Sequence, residues 1–190
     1  MFYEFHTLKS SSEKGSWFAD NLPKREDIIK RIRESKNTYL SSIPNLEEWI
    51  PEIHIIYQGN LSNTANVHLR LKYKSNIITL CLITLTTVKY NCGAIHLSYL
   101  CVEDGYNCGF SWDLLNIVER WCKWAGYTMV FGNTAGEYQN QLVPRFEKLG
   151  YTKMGVDYIN ARSSNRNIWL QKILVDQDTL NEEPDDEEEF

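Results

Sequence analysis

The sequence has little that would staple, anchor or interrupt a chain. Its 190 residues contain five cysteines, an odd number with no Cys-x-x-Cys pair. That spacing excludes the common zinc frameworks and offers no disulfide scaffold. A reduced, cytoplasmic protein without a metal is the expectation. No apolar run is long enough to span a bilayer, and no signal-peptide pattern is found, so no membrane partner is expected. The five prolines and ten glycines are scattered. There is no linker before residue 175 and no internal repeat, which argues for one domain over residues 1–175.

What is present describes a folded chain. Hydrophobic residues make up 43% and aromatic residues 13%, enough for a substantial core. The net charge of −5 is unevenly placed. Residues 176–190 hold nine acids and no Lys or Arg, and without them the chain carries +4. The acidic segment reads as a solvated tail, or as a docking segment for a basic protein partner. A nucleic-acid role is not expected, because the body is only mildly basic and the tail would repel phosphate.

The chain is organised around residues 94–126. Ala94 to Val102 is apolar apart from His96, Ser98 and Tyr99, which suits a central strand. Glu103 to Gly109 forms a turn with two glycines. Trp112, Leu114, Leu115, Val118, Trp121 and Cys122 then recur at helical spacing, with Gly126 as the stop. The first N–H groups of such a helix have no internal partner, and with the helix dipole they form a candidate anion site.

Around this unit, Met1–Leu8 reads as an edge strand, Lys24–Leu40 as an amphipathic helix and Asn45–Ile50 as a short helix capped by Asn45. Strands follow at Ile53–Tyr57, Asn66–Lys74 and Ile77–Val88, the last two joined as a hairpin. After the Trp-rich helix come a strand at Thr128–Phe131, a helix at Gln139–Leu149, and strands at Lys153–Asn160 and Asn167–Leu174. The class is α+β: a mixed, mostly antiparallel sheet with helices on both faces.

Two segments in this order resemble the GCN5-related N-acetyltransferase (GNAT) superfamily. Tyr106-Asn107-Cys108-Gly109-Phe110-Ser111 followed by Leu114-Leu115 is similar to the family's Gln/Arg-x-x-Gly-x-Gly/Ala turn and its Leu pair. It departs at Tyr106 and Ser111. Arg145 to Tyr151 looks like the end of the family's next helix. The resemblance implies an acyl-CoA N-acyltransferase fold and acetyl-CoA as co-substrate. The amides of Tyr106, Asn107, Cys108, Gly109, Phe110 and Ser111 would hold the pyrophosphate. The backbone of Leu100, Cys101 and Val102 would pair with the pantetheine arm. Gln139 stands where the family has an Asn. The acceptor would be an amine, on a small molecule or a protein, that the sequence does not identify.

For the base, His96 is the candidate: it lies six residues before Val102, hence on the same face, and an imidazole titrates near neutrality. Glu103 and Asp104 are alternatives. The family's leaving-group Tyr corresponds to Phe146, which has no proton to give, so Tyr138 and Tyr151 are the candidate acids. The missing Tyr and the altered turn also suit a second reading: a GNAT-fold binding or structural protein without catalysis. Tailed-phage genomes contain such divergent proteins, which would place the chain in a virion or host cytoplasm.

Overall fold

Burial alternates along β2 (Thr64–Tyr73): Ala65, Val67, Leu69 and Leu71 are enclosed, while Asn66, His68 and Arg70 are half-exposed. A strand patterned this way must lay one face on a core. The computed structural model describes residues 17–36, 38–58, 63–88, 91–102, 108–134, 139–158 and 166–174. It builds a sheet of seven strands around that face. Besides β2 these are β1 (Ile50–Gln58), β3 (Asn76–Val88), β4 (Asn91–Val102), β5 (Met129–Thr134), β6 (Thr152–Tyr158) and β7 (Arg166–Ile173), in the order β1-β2-β3-β4-β5-β7-β6. Every neighbouring pair is antiparallel except β4–β5, which is parallel. Among the described strands β1 lies at the edge of the sheet, where the missing N–H of Pro51 costs least. The expected hairpin forms at Lys74–Ser75, with Lys74 at φ 54°.

Three helices accompany the sheet: α1 (Arg25–Glu34), α2 (Phe110–Trp124) and α3 (Gln139–Lys148). Single turns occur at 17–21, Thr38–Ser41 and Leu46–Glu48. The helix expected over Lys24–Leu40 is therefore divided. At Ser35 the backbone turns extended, and both its N–H and its hydroxyl donate to the Ile32 carbonyl. Asn45 adopts a left-handed conformation and makes no side-chain cap, so only a 3-10 turn follows it. The expected strand over Met1–Leu8 and the acidic tail lie outside the described residues.

The described helices share one face, where helices on both faces were expected. Both parallel crossovers, β4-α2-β5 and β5-α3-β6, advance the same way across the sheet. Right-handed connections then place both helices on the same side. The N-terminal helical segments join them: Phe18 packs on Trp121 at 5.4 Å and Arg31 pairs with Asp113 of α2. The core lies between this layer and the sheet, with Ile28, Ile32, Phe110, Leu114, Val118 and Trp121 against Val67, Leu69, Ile83, Leu85 and Ile95. Each such side chain contributes about 1.5–3 kcal/mol on burial.

One charged group sits inside this layer. Glu119 of α2 is only 6% exposed. It accepts a hydrogen bond from the Tyr151 hydroxyl at 2.7 Å and an ion pair from Lys172 of β7. The three side chains tie α2, the end of α3 and β7 together. Removing the cation would leave a buried carboxylate without its partner charge. Lys172→Met is expected to lower the unfolding free energy by about 3 kcal/mol in urea denaturation. A change under about 0.5 kcal/mol would mean that water or another group neutralises Glu119.

Candidate functional site

The parallel pairing of β4 and β5 is short. It runs through Ala94–Met129, Ile95–Val130, His96–Phe131 and Leu97–Gly132, and there it stops. Both strands continue: β4 to Val102 alongside β3, and β5 to Thr134 alongside β7. From Ser98 onward the edge of β4 that faced β5 carries main-chain groups with no strand partner there among the described residues. Unpaired main-chain donors and acceptors inside a sheet are a site for an extended ligand that adds as a strand. Gly132 marks the vertex. A Cβ built on it would lie 2.9 Å from the Leu97 carbonyl oxygen, so the last rung closes only because this residue has no side chain.

The turn that opens α2 lies just past the end of β4. Gly109 is the residue before the helix and adopts φ 77°, the left-handed region that glycine enters at no steric cost. Among the described residues no side chain caps this end. Cys108 and Gly109 are half-buried, and Phe110 and Ser111 are buried. The helix start is shaped from outside by a residue that sequence reading did not single out. Arg31 of α1 donates from Nη2 to the Cys108 carbonyl at 2.6 Å and from Nη1 to Asp113, and its guanidinium lies 4.7 Å from the Phe110 ring centre. Its partners are 77 and 82 residues away, so no local pattern announces it.

His96 stacks on Phe131 at 5.1 Å between ring centres, with Trp169 at 5.8 Å. Its Nδ1 is 3.1 Å from the Ser98 hydroxyl, which is in turn 2.9 Å from the Thr86 hydroxyl. Nε2 is enclosed and has no hydrogen-bond partner among the described residues. Burial lowers the His96 pKa below the ordinary 6.5, which keeps the ring neutral at pH 7.

The expectation that His96 and Val102 share a face is corrected by the register. Leu97 pairs with Leu85, but Tyr99 pairs with Thr84, so Ser98 is an extra residue in β4. This bulge reverses the alternation beyond it. Val102 stands opposite Cys81, which is buried under the helices, while His96 stands opposite Thr86 on the other face. By register His96 and Val102 therefore stand on opposite faces of β4.

The remaining candidates are dispersed. Leu100, Cys101 and Val102 form the part of β4 beyond the vertex. Gln139 donates to the Thr134 carbonyl at 2.6 Å and so joins α3 to the end of β5. Phe146 is buried between Trp112 and Tyr151, at 5.4 and 5.1 Å. The Tyr151 hydroxyl is engaged with Glu119 on the helix side, and burial and then that carboxylate push its pKa up. Tyr106, Asn107, Glu103, Asp104 and Tyr138 lie outside the described residues.

The vertex makes a stability prediction. Gly132→Ala must displace the Leu97 backbone and is expected to cost about 1–3 kcal/mol in urea denaturation. Gly155→Ala, with open space around it, is the control and is expected to change stability by less than about 0.5 kcal/mol. Equal effects would show that β4 and β5 do not close on a glycine.

No family model matches the chain, and no curated protein sequence matches it. Solved structures do. A protein assigned to the GNAT family of acetyltransferases from Desulfovibrio desulfuricans is 16% identical, with 60% of this chain and 70% of that one covered, at a TM-score of 0.50. The spermidine/spermine N-acetyltransferase of Vibrio cholerae is 11% identical, with 60% and 68% covered, at 0.51. A protein assigned as an acyl-CoA N-acyltransferase from Klebsiella pneumoniae is 11% identical, with 66% and 99% covered, at 0.50. At such identities the likeness is one of fold. With its seven-stranded mixed sheet and the α2 turn beside the open edge of β4, this chain is a divergent example of the GCN5-related N-acetyltransferase fold.

Proposed function

We propose that the chain transfers an acetyl group from acetyl-CoA to an amine. The observation that carries this reading is the parting of β4 and β5 after Leu97 and Gly132, next to an uncapped helix start at Gly109. The pyrophosphate would sit on the amides at the start of α2, where the dipole favours an anion. The pantetheine arm would run along Leu100–Val102 as an added strand and bring the thioester toward the vertex.

The acceptor would approach from the opposite face of the sheet, where His96 lies. Neutral His96 would take the amine proton through the exposed Ser98 hydroxyl, which its Nδ1 contacts, as the amine nitrogen attacks the thioester carbonyl. The tetrahedral intermediate then collapses and expels the CoA thiolate. Unpaired N–H groups of β4 beyond Leu97 are suited to bind the oxyanion. Among the described residues no tyrosine hydroxyl stands ready to protonate the thiolate. A thiolate is a weak base, its thiol having a pKa near 8.5, so unassisted departure is chemically reasonable.

A second reading, a GNAT-fold protein that binds without catalysis, is favoured by two observations. Phe146 has no hydroxyl, and that of Tyr151 is engaged in the core.

Calorimetric titration with acetyl-CoA tests the ligand. Micromolar binding is expected, and no binding would remove the enzyme reading. The base is tested separately. The His96 ring is expected to titrate below 6.5 by NMR, and the acid limb of kcat/KM with any competent acceptor is expected to follow the same group. His96→Gln should then abolish that limb and lower turnover by about 100-fold or more. Full activity of His96→Gln would assign the proton transfer elsewhere.

A further inference from the structure

A guanidinium at the start of α2 is the opposite of what helix electrostatics favours. That end of the helix carries partial positive charge, which stabilises acids and opposes cations. Yet Arg31 crosses from α1 and turns its guanidinium to this one turn. It bonds the Cys108 carbonyl and the Asp113 carboxylate and covers the Phe110 ring. A Cβ at Gly109 would lie 3.0 Å from its Nη2, so the turn is wrapped closely around it. Asp113, in the first turn of α2, is one carboxylate shared between Arg31 and the partial positive charge of the helix start. The Arg31 side chain is still 34% exposed, and its two bonds to described residues use two of five N–H donors.

We propose that Arg31 is a positioning residue for the diphosphate of coenzyme A. It sets the path of Cys108 and Gly109 so that the first amides of α2 converge on one point, and its charge becomes favourable once an anion arrives there. This rests on the acetyl-CoA reading above. A purely structural ion pair between α1 and α2 would act differently: its loss would weaken every ligand alike, or none.

The test compares CoA with pantetheine, which has the arm but no diphosphate. Affinities are read by NMR titration of the full chain and of Arg31→Gln, with the folded state checked by thermal unfolding. Arg31→Gln is expected to weaken CoA by tenfold or more and to leave pantetheine within twofold. Arg31→Lys keeps the charge but cannot bridge Cys108 and Asp113 together, and is expected to fall between the two. It carries the same comparison if Arg31→Gln does not fold. CoA affinity within threefold of the parent, or equal loss for both ligands, would overturn the positioning role while leaving the acetyl-CoA reading in place. Absence of CoA binding to the parent chain would overturn both.

Discussion

A strand in the middle of a sheet normally satisfies its main-chain groups on both sides. β4 does so only as far as Leu97, and the rest of the architecture follows from that limit. The bulge at Ser98 shifts the phase of β4, and Gly132 lets β5 come close for one last rung. Beyond that point the strands have separate partners: β3 holds one and β7 the other. Unsatisfied main-chain groups inside a protein are costly, so an opening of this kind must be held from elsewhere. The helix layer supplies the support: α2 packs on the β3–β4 side, α3 on the β5–β7 side, and Glu119 ties the two sides through Tyr151 and Lys172.

Much of this was legible in the residues. Alternation in β2 fixes its register, because slipping by one residue would turn Val67, Leu69 and Leu71 to the polar face. The three-to-four spacing from Leu114 to Cys122 specifies α2 and the face it buries. The resemblance at Gly109 and the Leu pair led to the fold that the solved structures share.

What escaped the sequence has a physical reason in each case. Residue parity along a strand holds only while the strand is regular, and the bulge at Ser98 has no composition of its own. His96 and Val102 were therefore placed on one face and stand on two. Tyr151 carries a hydroxyl near the expected place for an acid, but nothing local shows that Glu119, 32 residues earlier, accepts its hydrogen bond. Helices on both faces were inferred from element order, and order alone does not give the side. The side follows from crossover handedness and strand sequence in space.

The reach of Arg31 across 77 and 82 residues also bears on how the chain is made. The turn that opens α2 is not a local product of Cys108, Gly109 and Phe110. Its form here includes contacts from the docked α1, and making them requires a long loop to close. The helix start is thus assembled from two distant pieces of chain. Any event that loosens α1 from α2 reshapes that turn while the strands of the sheet stay paired.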